Sequence, residues 1–166
     1  MDKLPNLIIM GLDQYIEIGV DRPTVDAEKR RVITEHIYEK LAYFGKVNFI
    51  QKFFEDKYEV PNNEHVRITK EDLQELADLC EQVMNKFEEW EGAKEALDSC
   101  VRIAPPKYIQ DYAEELLSTR EGLSFGSTAY DNRYFNDIKY VLKTVRKILQ
   151  ESKTVDDYPL FYRAWW

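Results

Sequence analysis

Hydroxyl groups, aromatic rings and a predicted helix start are concentrated in residues 124–135, which read SFGSTAYDNRYF. The Thr128 hydroxyl can cap that helix, and Asp131 stands three residues later, where a capping box carries its acid. Gly126 and Ser127 would leave backbone N–H groups near the positive end of the helix, which is where phosphates and other anions bind. An ordinary capped helix accounts for the same spacing, although it needs fewer aromatic rings than this segment carries. The segment therefore predicts a helix start that could hold an anion.

A second group of chemically useful side chains lies in residues 43–54, which read YFGKVNFIQKFF. The residues that recur at helical spacing and predict a buried face are Tyr43, Val47, Ile50 and Phe54. Phe44, Asn48 and Gln51 share the neighbouring stripe, at steps of four and three. One ring and two amides on a stripe could stack on a base and read its edge, and Lys46 could reach a phosphate. The same side chains could equally be half-exposed filler and solvated charge, so both interpretations stay open.

The carboxyl end of the chain forms a third aromatic group. Residues 160–166 read LFYRAWW and predict a strand. Trp165 and Trp166 are costly to leave in water, so we expect them to be buried against the domain, a second subunit or a ligand. Together with Tyr130 of the first segment, Trp165 is a candidate ring for stacking on the base of a ligand.

Motifs that would identify a catalytic or metal site are nearly all missing from the sequence. The chain contains no HExxH, CxxC, P-loop or GxGxxG motif, and His36 and His65 stand alone. Residues 122–126 read GLSFG and match GxSxG in letters, but no strand is predicted before Ser124, so the strand–turn–helix context of that motif is not predicted. Two cysteines form neither a disulfide framework nor a zinc site, and we expect Cys80 to be a buried free thiol. Asp13 and Asp131 are the only acids that lie in unusual segments. No catalytic residue, cofactor or metal site is therefore predicted.

The composition is that of one soluble domain. The chain has 166 residues, of which 44% are hydrophobic and 33% charged, so it can bury a core without a second domain. A formal net charge of −8 disfavours non-specific contact with nucleic acid. Residues 1–9 carry too short an apolar run for a signal peptide, and no run reaches membrane-spanning length. The sequence therefore predicts a cytoplasmic protein that binds neither nucleic acid nor membranes directly.

The elements that position these groups are predicted to be both strands and helices. Strands are predicted at residues 7–18, 65–68 and 160–166, with a turn at 21–24. Helices are predicted at residues 26–58, with an interruption at Gly45, and at 69–87, 107–117 and 129–150. Helices on one face of a small antiparallel sheet, made from the N-terminal, middle and C-terminal strands, give a single α+β domain. The other face of that sheet would need cover, which a second copy in a homodimer could provide.

Four blocks of the sequence resemble, in the same order, blocks of a family of small phage and prophage proteins. Residues 10–16 resemble that family's opening MGLDMYL, and residues 43–54 resemble its YWRKANAIHNWF segment. Residues 124–135 resemble its FFFGSTEYDEWYF segment, and residues 161–166 resemble its aromatic carboxyl end. The resemblance implies homology over most of the chain, but no secure activity is attached to the family.

Departures from the family pattern bear on function. Residues 1–9 are an extension before the family start, and residues 91–106 are an insertion. Phe44 replaces a tryptophan, Gly45 an arginine and Gln51 a histidine. If that histidine is a general base, this chain lacks it, which counts against an enzyme and leaves a hydrogen-bonding role open.

Three hypotheses about function follow from these residues and from the resemblance. The first is a phage-encoded, non-enzymatic binding protein that acts in the cytoplasm of the infected bacterium and counters host defence by sequestering a nucleotide-type immune signal. Its predicted ligand-binding residues are Phe44, Lys46, Asn48, Gln51, Gly126, Ser127, Thr128, Tyr130, Asp131 and Trp165. The second is a protein–protein inhibitor of a host defence complex that acts through acidic and aromatic surfaces. The third is a small nucleotide-processing enzyme that uses Asp13 or Asp131 as its acid or base.

Overall fold

A long β-hairpin opens the part of the chain that the computed structural model describes, namely residues 11–166 with the side chains of residues 152–154 left aside. Strand β1 (Asp13–Asp26) pairs antiparallel with strand β2 (Arg31–Gly45) along the full length of both. The predicted N-terminal extension and the first residues of the predicted N-terminal strand lie outside the described residues.

The rest of the chain adds six helices and two further strands. In chain order they are α1 (Asn48–Glu55), β3 (Val66–Ile68), α2 (Lys70–Glu88), α3 (Ala93–Asp98), α4 (Lys107–Leu116), α5 (Asn132–Gln150), α6 (Ser152–Asp157) and β4 (Leu160–Trp165). All strand pairs are antiparallel, and the sheet order is β2-β1-β4-β3. The buried residues of the helices and of one sheet face form one hydrophobic core, which confirms the predicted α+β architecture. No helix within residues 11–166 is long and apolar enough to cross a membrane.

Helix α2 begins and packs as its sequence predicts. The Thr69 hydroxyl accepts the backbone N–H of Asp72, and the Asp72 carboxylate accepts the backbone N–H of Thr69, which completes a capping box. The apolar stripe that this helix buries consists of Leu73, Leu76, Ala77, Cys80, Val83, Met84 and Phe87. The Phe87 ring stacks on Phe135 of α5 at a centroid distance of 4.1 Å, so the two longest helices are joined through aromatic contact.

The two cysteines lie in opposite environments. Cys80 on α2 is a buried free thiol, as its place on the apolar stripe predicts, and burial raises its pKa. Cys100 is an exposed free thiol that follows α3, inside the predicted insertion at residues 91–106.

Residues 26–58 are predicted as helix interrupted at Gly45, but they contain strand β2 and only then helix α1. The predicted turn at 21–24 likewise lies inside β1, and the chain reverses at residues 27–30 instead. Both predictions are wrong because much of this hairpin is exposed, so it lacks the strict alternation of apolar and polar residues that marks a half-buried strand. Tyr43, predicted in the core, lies on the open face of β2 and is 44% exposed.

The hairpin divides into a base inside the sheet and an arm beyond it. Strand β4 pairs with β1 only from Asp13 to Ile18. Beyond that point residues 19–38, here called the arm, form a two-stranded ribbon with no third strand beside it in the described structure. Val25 and Val32 stand opposite each other on the arm and are 67% and 71% exposed. The arm therefore carries apolar side chains that the rest of the described chain leaves largely uncovered.

Candidate functional site

Half of the ten predicted ligand-binding residues line one cleft between the β2–α1 junction and the start of α5. These are Lys46, Asn48, Gly126, Ser127 and Asp131. The cleft has a volume of about 280 Å³, and Arg102, Arg133 and Asp137 also line it. A larger groove of about 600 Å³ runs between α2 and α5, but none of the ten predicted residues lines it. The cleft is therefore the candidate site.

Asn48 builds the wall of the cleft. It is the first residue of α1 and is buried. Its amide nitrogen donates to the carbonyl oxygens of Phe125 (3.1 Å) and Ser127 (3.0 Å), and its amide oxygen accepts the backbone N–H of Arg120 (3.2 Å). Since both ends of the amide are engaged, Asn48 is not placed to read the edge of a base, contrary to the prediction. Instead it fixes the loop at residues 117–131 onto α1.

Two left-handed backbone positions bring the walls of the cleft together. Lys46, between β2 and α1, has a φ of 58°, and Gly126, in the loop, has a φ of 92°. A Cβ atom at Gly126 would lie 3.2 Å from both the Cβ atom and the carbonyl oxygen of Lys46. Glycine is therefore required at position 126 for its conformation and for the close approach of the two segments.

The start of α5 is occupied by the protein's own carboxylate. Asp131, and not Thr128, is the N-cap, and its Oδ1 accepts two backbone N–H groups of the first turn at 3.0 and 3.4 Å. Its Oδ2 accepts a hydrogen bond from Arg102 (3.0 Å), which also donates to the Ser127 hydroxyl (3.0 Å). The prediction that Thr128 caps the helix is wrong, because the chain becomes helical three residues later than expected. A phosphate in the cleft would have to be bound mainly by side chains.

Lys46 and Arg133 are the cations that a ligand in the cleft could reach. Both are exposed and line the cavity. Arg102 pairs with Asp131, whereas neither Lys46 nor Arg133 forms an ion pair with another residue in the described part of the chain. The positive charge of the cleft is therefore carried by two long side chains that an anion could bring together.

Asp137 is the acid in the cleft whose ionisation is most altered. It is half-buried, and burial and then the nearby Asp131 carboxylate raise its pKa to about 6. No hydrogen bond or cation from the described residues offsets this shift. At pH 7 the carboxylate is mostly ionised, because the pH lies above its pKa. Asp137 thus offers a hydrogen-bond acceptor in the same cavity as Lys46 and Arg133.

The other five predicted residues lie outside the cleft. Phe44 and Gln51 are buried in the core. Thr128 and Tyr130 are tied by hydrogen bonds to the start of the loop, at residue 119. Trp165 lies on the sheet face away from the core and is 41% exposed. A base bound in the cleft therefore cannot stack on Phe44 or on Trp165, contrary to the prediction.

Gln51 has a structural partner that the sequence does not reveal. The Tyr162 hydroxyl lies 2.7 Å from the amide oxygens of both Gln14 and Gln51. The Gln51 amide nitrogen donates to Glu55 (2.7 Å), and Glu55 pairs with Arg120. Buried polar groups must be hydrogen-bonded, and this network satisfies that requirement while linking strand β4 to helix α1.

Both acids considered for catalysis are engaged in hydrogen bonds. Asp131 caps α5, as described above. Asp13, at the start of β1, accepts a hydrogen bond from the Tyr43 hydroxyl (2.6 Å) on the open face of the sheet, away from the cleft. This hydrogen bond, with a contribution from burial, raises the pKa of Tyr43 to about 12. The structure thus brings Asp131, but not Asp13, to the candidate site.

Three residues of the cleft were missed by reasoning from the sequence. Arg102 belongs to the predicted insertion at residues 91–106, and only the fold brings it to Asp131. Arg133 and Asp137 lie one turn apart on α5 and read as ordinary charged positions of an amphipathic helix. The sequence did contain one sign that Asp137 is partly buried. It directly precedes the buried Ile138 and so lies at the margin of the apolar stripe of α5.

His65 lies in a polar cluster on the open face of the sheet, and His36 lies on the arm, where it pairs with Asp21 (2.7 Å). The buried Glu17 pairs with His65 (2.9 Å) and with Arg163 (3.1 Å). The Tyr38 ring stacks on His65 at 3.5 Å, and burial lowers the pKa of His65 although Glu17 opposes that shift. Within residues 11–166, no three His, Cys, Asp or Glu side chains are grouped so that they could hold a metal ion.

No protein-family model, curated protein or solved structure matches the chain. The similarity to small phage proteins stays a prediction that rests on four sequence blocks. The geometry of the cleft is therefore the main basis for assigning a function.

Proposed function

We propose that the protein is a non-enzymatic binding protein that holds the phosphorylated ribose of a nucleotide-type ligand in the cleft. The observation that carries this proposal is the convergence of two cations, Lys46 and Arg133, and one ionised acceptor, Asp137, on the same small cavity. Phosphate oxygens accept charge-assisted hydrogen bonds from lysine and arginine, and ribose hydroxyls donate to carboxylates. The three side chains supply both kinds of partner.

The size of the cleft limits the ligand. A cavity of about 280 Å³ lies at the small end of the range for small-molecule sites. It suits one ribose phosphate and leaves a base, or a second nucleotide, outside its walls. Because Phe44 and Gln51 lie in the core, we expect affinity to depend strongly on the phosphate and weakly on the identity of the base.

The biological role that fits such a site is sequestration. A protein that binds an immune signal without converting it lowers the free concentration of that signal by mass action. The resemblance to small phage proteins supports this role in the cytoplasm of an infected bacterium. Ligand binding is thus inferred from the cleft, and the role in infection from the resemblance of the four sequence blocks.

The structure gives less support to the second hypothesis, inhibition of a host defence complex, than to ligand binding in the cleft. The exposed acidic face of α2 includes Glu75 and Glu81, which the second hypothesis would use against a basic partner. Glu75 pairs with Lys57, and Glu81 pairs with Arg146. Part of this negative charge is thus already balanced within the chain, whereas the cations Lys46 and Arg133 are not paired among the described residues.

Titration calorimetry at pH 7.5 with AMP, ribose 5-phosphate and adenosine tests the proposal. We expect the two phosphorylated compounds to bind and adenosine to fail. Lys46→Glu and Arg133→Glu should each weaken AMP binding by about tenfold or more, because each removes a charge-assisted hydrogen bond. Lys94→Glu, the same charge change at an exposed position of α3, serves as the matched control and should leave binding unchanged.

The same experiment separates binding from turnover. Chromatography of the recovered AMP should show the intact nucleotide. Folded protein that releases no heat with AMP or ribose 5-phosphate at millimolar concentration would contradict the proposed site. A product that forms with the unaltered protein and is lost in Asp137→Asn would instead show an enzyme that uses Asp137 as acid or base.

A further inference from the structure

The arm combines features that are unusual for the surface of an isolated chain. No strand within residues 11–166 lies beside it as a third strand, and isolated two-stranded ribbons are only marginally stable in water. Val25 and Val32 face each other across the arm and are largely exposed, and the neighbouring Ile33 is exposed as well. An edge with exposed β-branched residues is a template for pairing with another strand. The arm therefore has the properties of an interaction surface.

The two edges of the arm differ in their capacity to accept a strand. On β1, Pro23 lacks a backbone N–H group, and proline is typical of edges that do not add a further strand. Strand β2 is the outermost strand of the sheet and contains no proline between Arg31 and Gly45. The outer edge of β2 is therefore the edge that can be extended.

Charge points to a second copy of the chain as the occupant of this edge. The arm tip, residues 26–31, carries the cations Lys29, Arg30 and Arg31 beside the acids Asp26 and Glu28, so it is net positive in a chain whose formal net charge is −8. Each copy thus offers a basic tip and is otherwise acidic, so opposite charges can meet where two copies approach through their arms. A two-fold arrangement also gives each arm the same new neighbour.

The charges along β2 select the register of such a pair. In a symmetric antiparallel pair, residues at equal distances on either side of the two-fold axis face each other. An axis at Ile33 places Arg31 of each copy opposite Glu35 of the other, which gives two pairs of opposite charge. An axis at Glu35 would place two glutamates face to face, and an axis at Ile37 would place Glu35 opposite Glu39. Of these three registers, the one at Ile33 is electrostatically favourable.

We propose that two copies of the chain associate by antiparallel pairing of their β2 edges, centred on Ile33, so that the two arms form a four-stranded ribbon. The pairing satisfies backbone groups of the exposed edge and extends the face that carries Val25 and Val32. The interface is small, so its dissociation constant should be on the order of tens of micromolar. It lies away from the cleft and does not depend on the ligand proposed above.

Sedimentation velocity of the full chain, over a range from about 5 to 500 µM that brackets this dissociation constant, tests the pairing. We expect a monomer–dimer equilibrium. Arg31→Glu places a glutamate opposite Glu35 in both halves of the pair, so it should weaken association by about tenfold or more. The double variant R31E/E35R exchanges the charges and should restore association. Lys94→Glu on α3 makes the same charge change away from the arm and should leave association unchanged.

Three results would overturn the pairing. These are a chain that stays monomeric at the highest concentration, a dimer that Arg31→Glu does not weaken, and a double variant that does not regain association. A monomeric chain would assign the arm to a partner other than a second copy. Thermal denaturation of dilute samples should show that all variants fold, because the exposed arm contributes little to the core. Titration of Arg31→Glu with AMP examines the cleft separately, so failure of the dimer and failure of ligand binding can be told apart.

Discussion

The base and the arm of the β1–β2 hairpin are made of the same two strands but have opposite surroundings. In the base, Ile16 and Ile18 of β1 are buried beneath the helices, and β4 pairs with the strand on its free side. In the arm, seven residues beyond Ile18, Val25 of the same strand is mostly exposed. A β-branched residue therefore stabilises this hairpin only where other elements cover it, and not through strand propensity alone.

The loop at residues 117–131, which lines the cleft, differs from both the base and the arm in what holds it in place. One buried ring, Phe125, anchors it, and hydrogen bonds from Asn48 and the Asp131 cap fix the rest. Its stability should therefore depend on individual polar contacts more than the base does. Substitutions in the core, the loop, the cleft and the arm should thus have effects of decreasing size, which the following four predictions set out.

The largest effect is expected for Phe54→Ala in the core beneath the base. Phe54 is fully buried and stacks on Tyr162 at a centroid distance of 4.3 Å. Removing the ring leaves a cavity, so the free energy of unfolding should fall by about 4 kcal/mol in urea denaturation. Phe54→Leu, which keeps more of the volume, should cost clearly less. A loss below about 1 kcal/mol for the alanine variant would mean that the base is not tightly packed.

Asn48→Ala should have the next largest effect, because it leaves three backbone groups of the loop without their partner. The expected loss is about 2 kcal/mol of stability. Hydrogen exchange should show faster exchange of the Arg120 amide, which Asn48 protects. Asn136→Ala is the matched control, since Asn136 is exposed and its side chain bonds, among the described residues, only to the Leu97 carbonyl. Equal losses in the two variants would show that the loop does not depend on Asn48.

Asp137→Asn should stabilise the protein, and only near neutral pH. The folded-state pKa of about 6 lies above the ordinary aspartate value of 3.8. The contribution of Asp137 to the free energy of unfolding is therefore fully present below pH 3.8 and is lost as the pH rises through 6. After allowance for solvent screening, the gain at pH 7.5 should be about 1 kcal/mol, and it should vanish near pH 4. Thermal denaturation at both pH values measures it, with the exposed Asp98→Asn as control; an equal gain at both pH values would contradict the shift.

The smallest effect is expected for Val25→Thr in the arm. Measured in dilute solution, where the chain is monomeric, the free energy of unfolding should change by no more than about 0.5 kcal/mol. Ile18→Thr makes a similar exchange on the same strand inside the base, where it buries an extra hydroxyl, and should cost at least about 2 kcal/mol. If the two variants cost the same, the contrast between base and arm does not hold.

Elements whose signals are local could be predicted from the sequence. Helix α2 carries its start at Thr69 and Asp72 and its buried stripe within one stretch, and both are confirmed. Strand β2 could not be predicted, because its exposed half buries no face and so leaves no period-two pattern. The apparent helical spacing from Tyr43 to Phe54 crosses the junction between β2 and α1, so it mixes the end of a strand with the start of a helix.

The candidate site could be located only in part. Lys46, Asn48, Gly126, Ser127 and Asp131 belong to two blocks that the resemblance singles out, and these blocks meet in the cleft. The role of Asn48 could not be derived, because its three partners lie 72 to 79 residues away. Arg102 and Asp137 were missed for the same kind of reason, since a shared cavity and a neighbouring carboxylate exist only after folding.

Because Cys80 is buried and Cys100 is exposed, labelling of the two thiols can measure local opening of the protein. A thiol reagent should modify the exposed Cys100 at once and attach a dye two residues from Arg102, beside the cleft. Cys80 can react only when α2 separates from the core around it, because its thiol is buried and its pKa is raised. The rate of the slow labelling phase therefore measures how often α2 separates from the core. From that rate the free energy of opening can be obtained in the intact protein without denaturant.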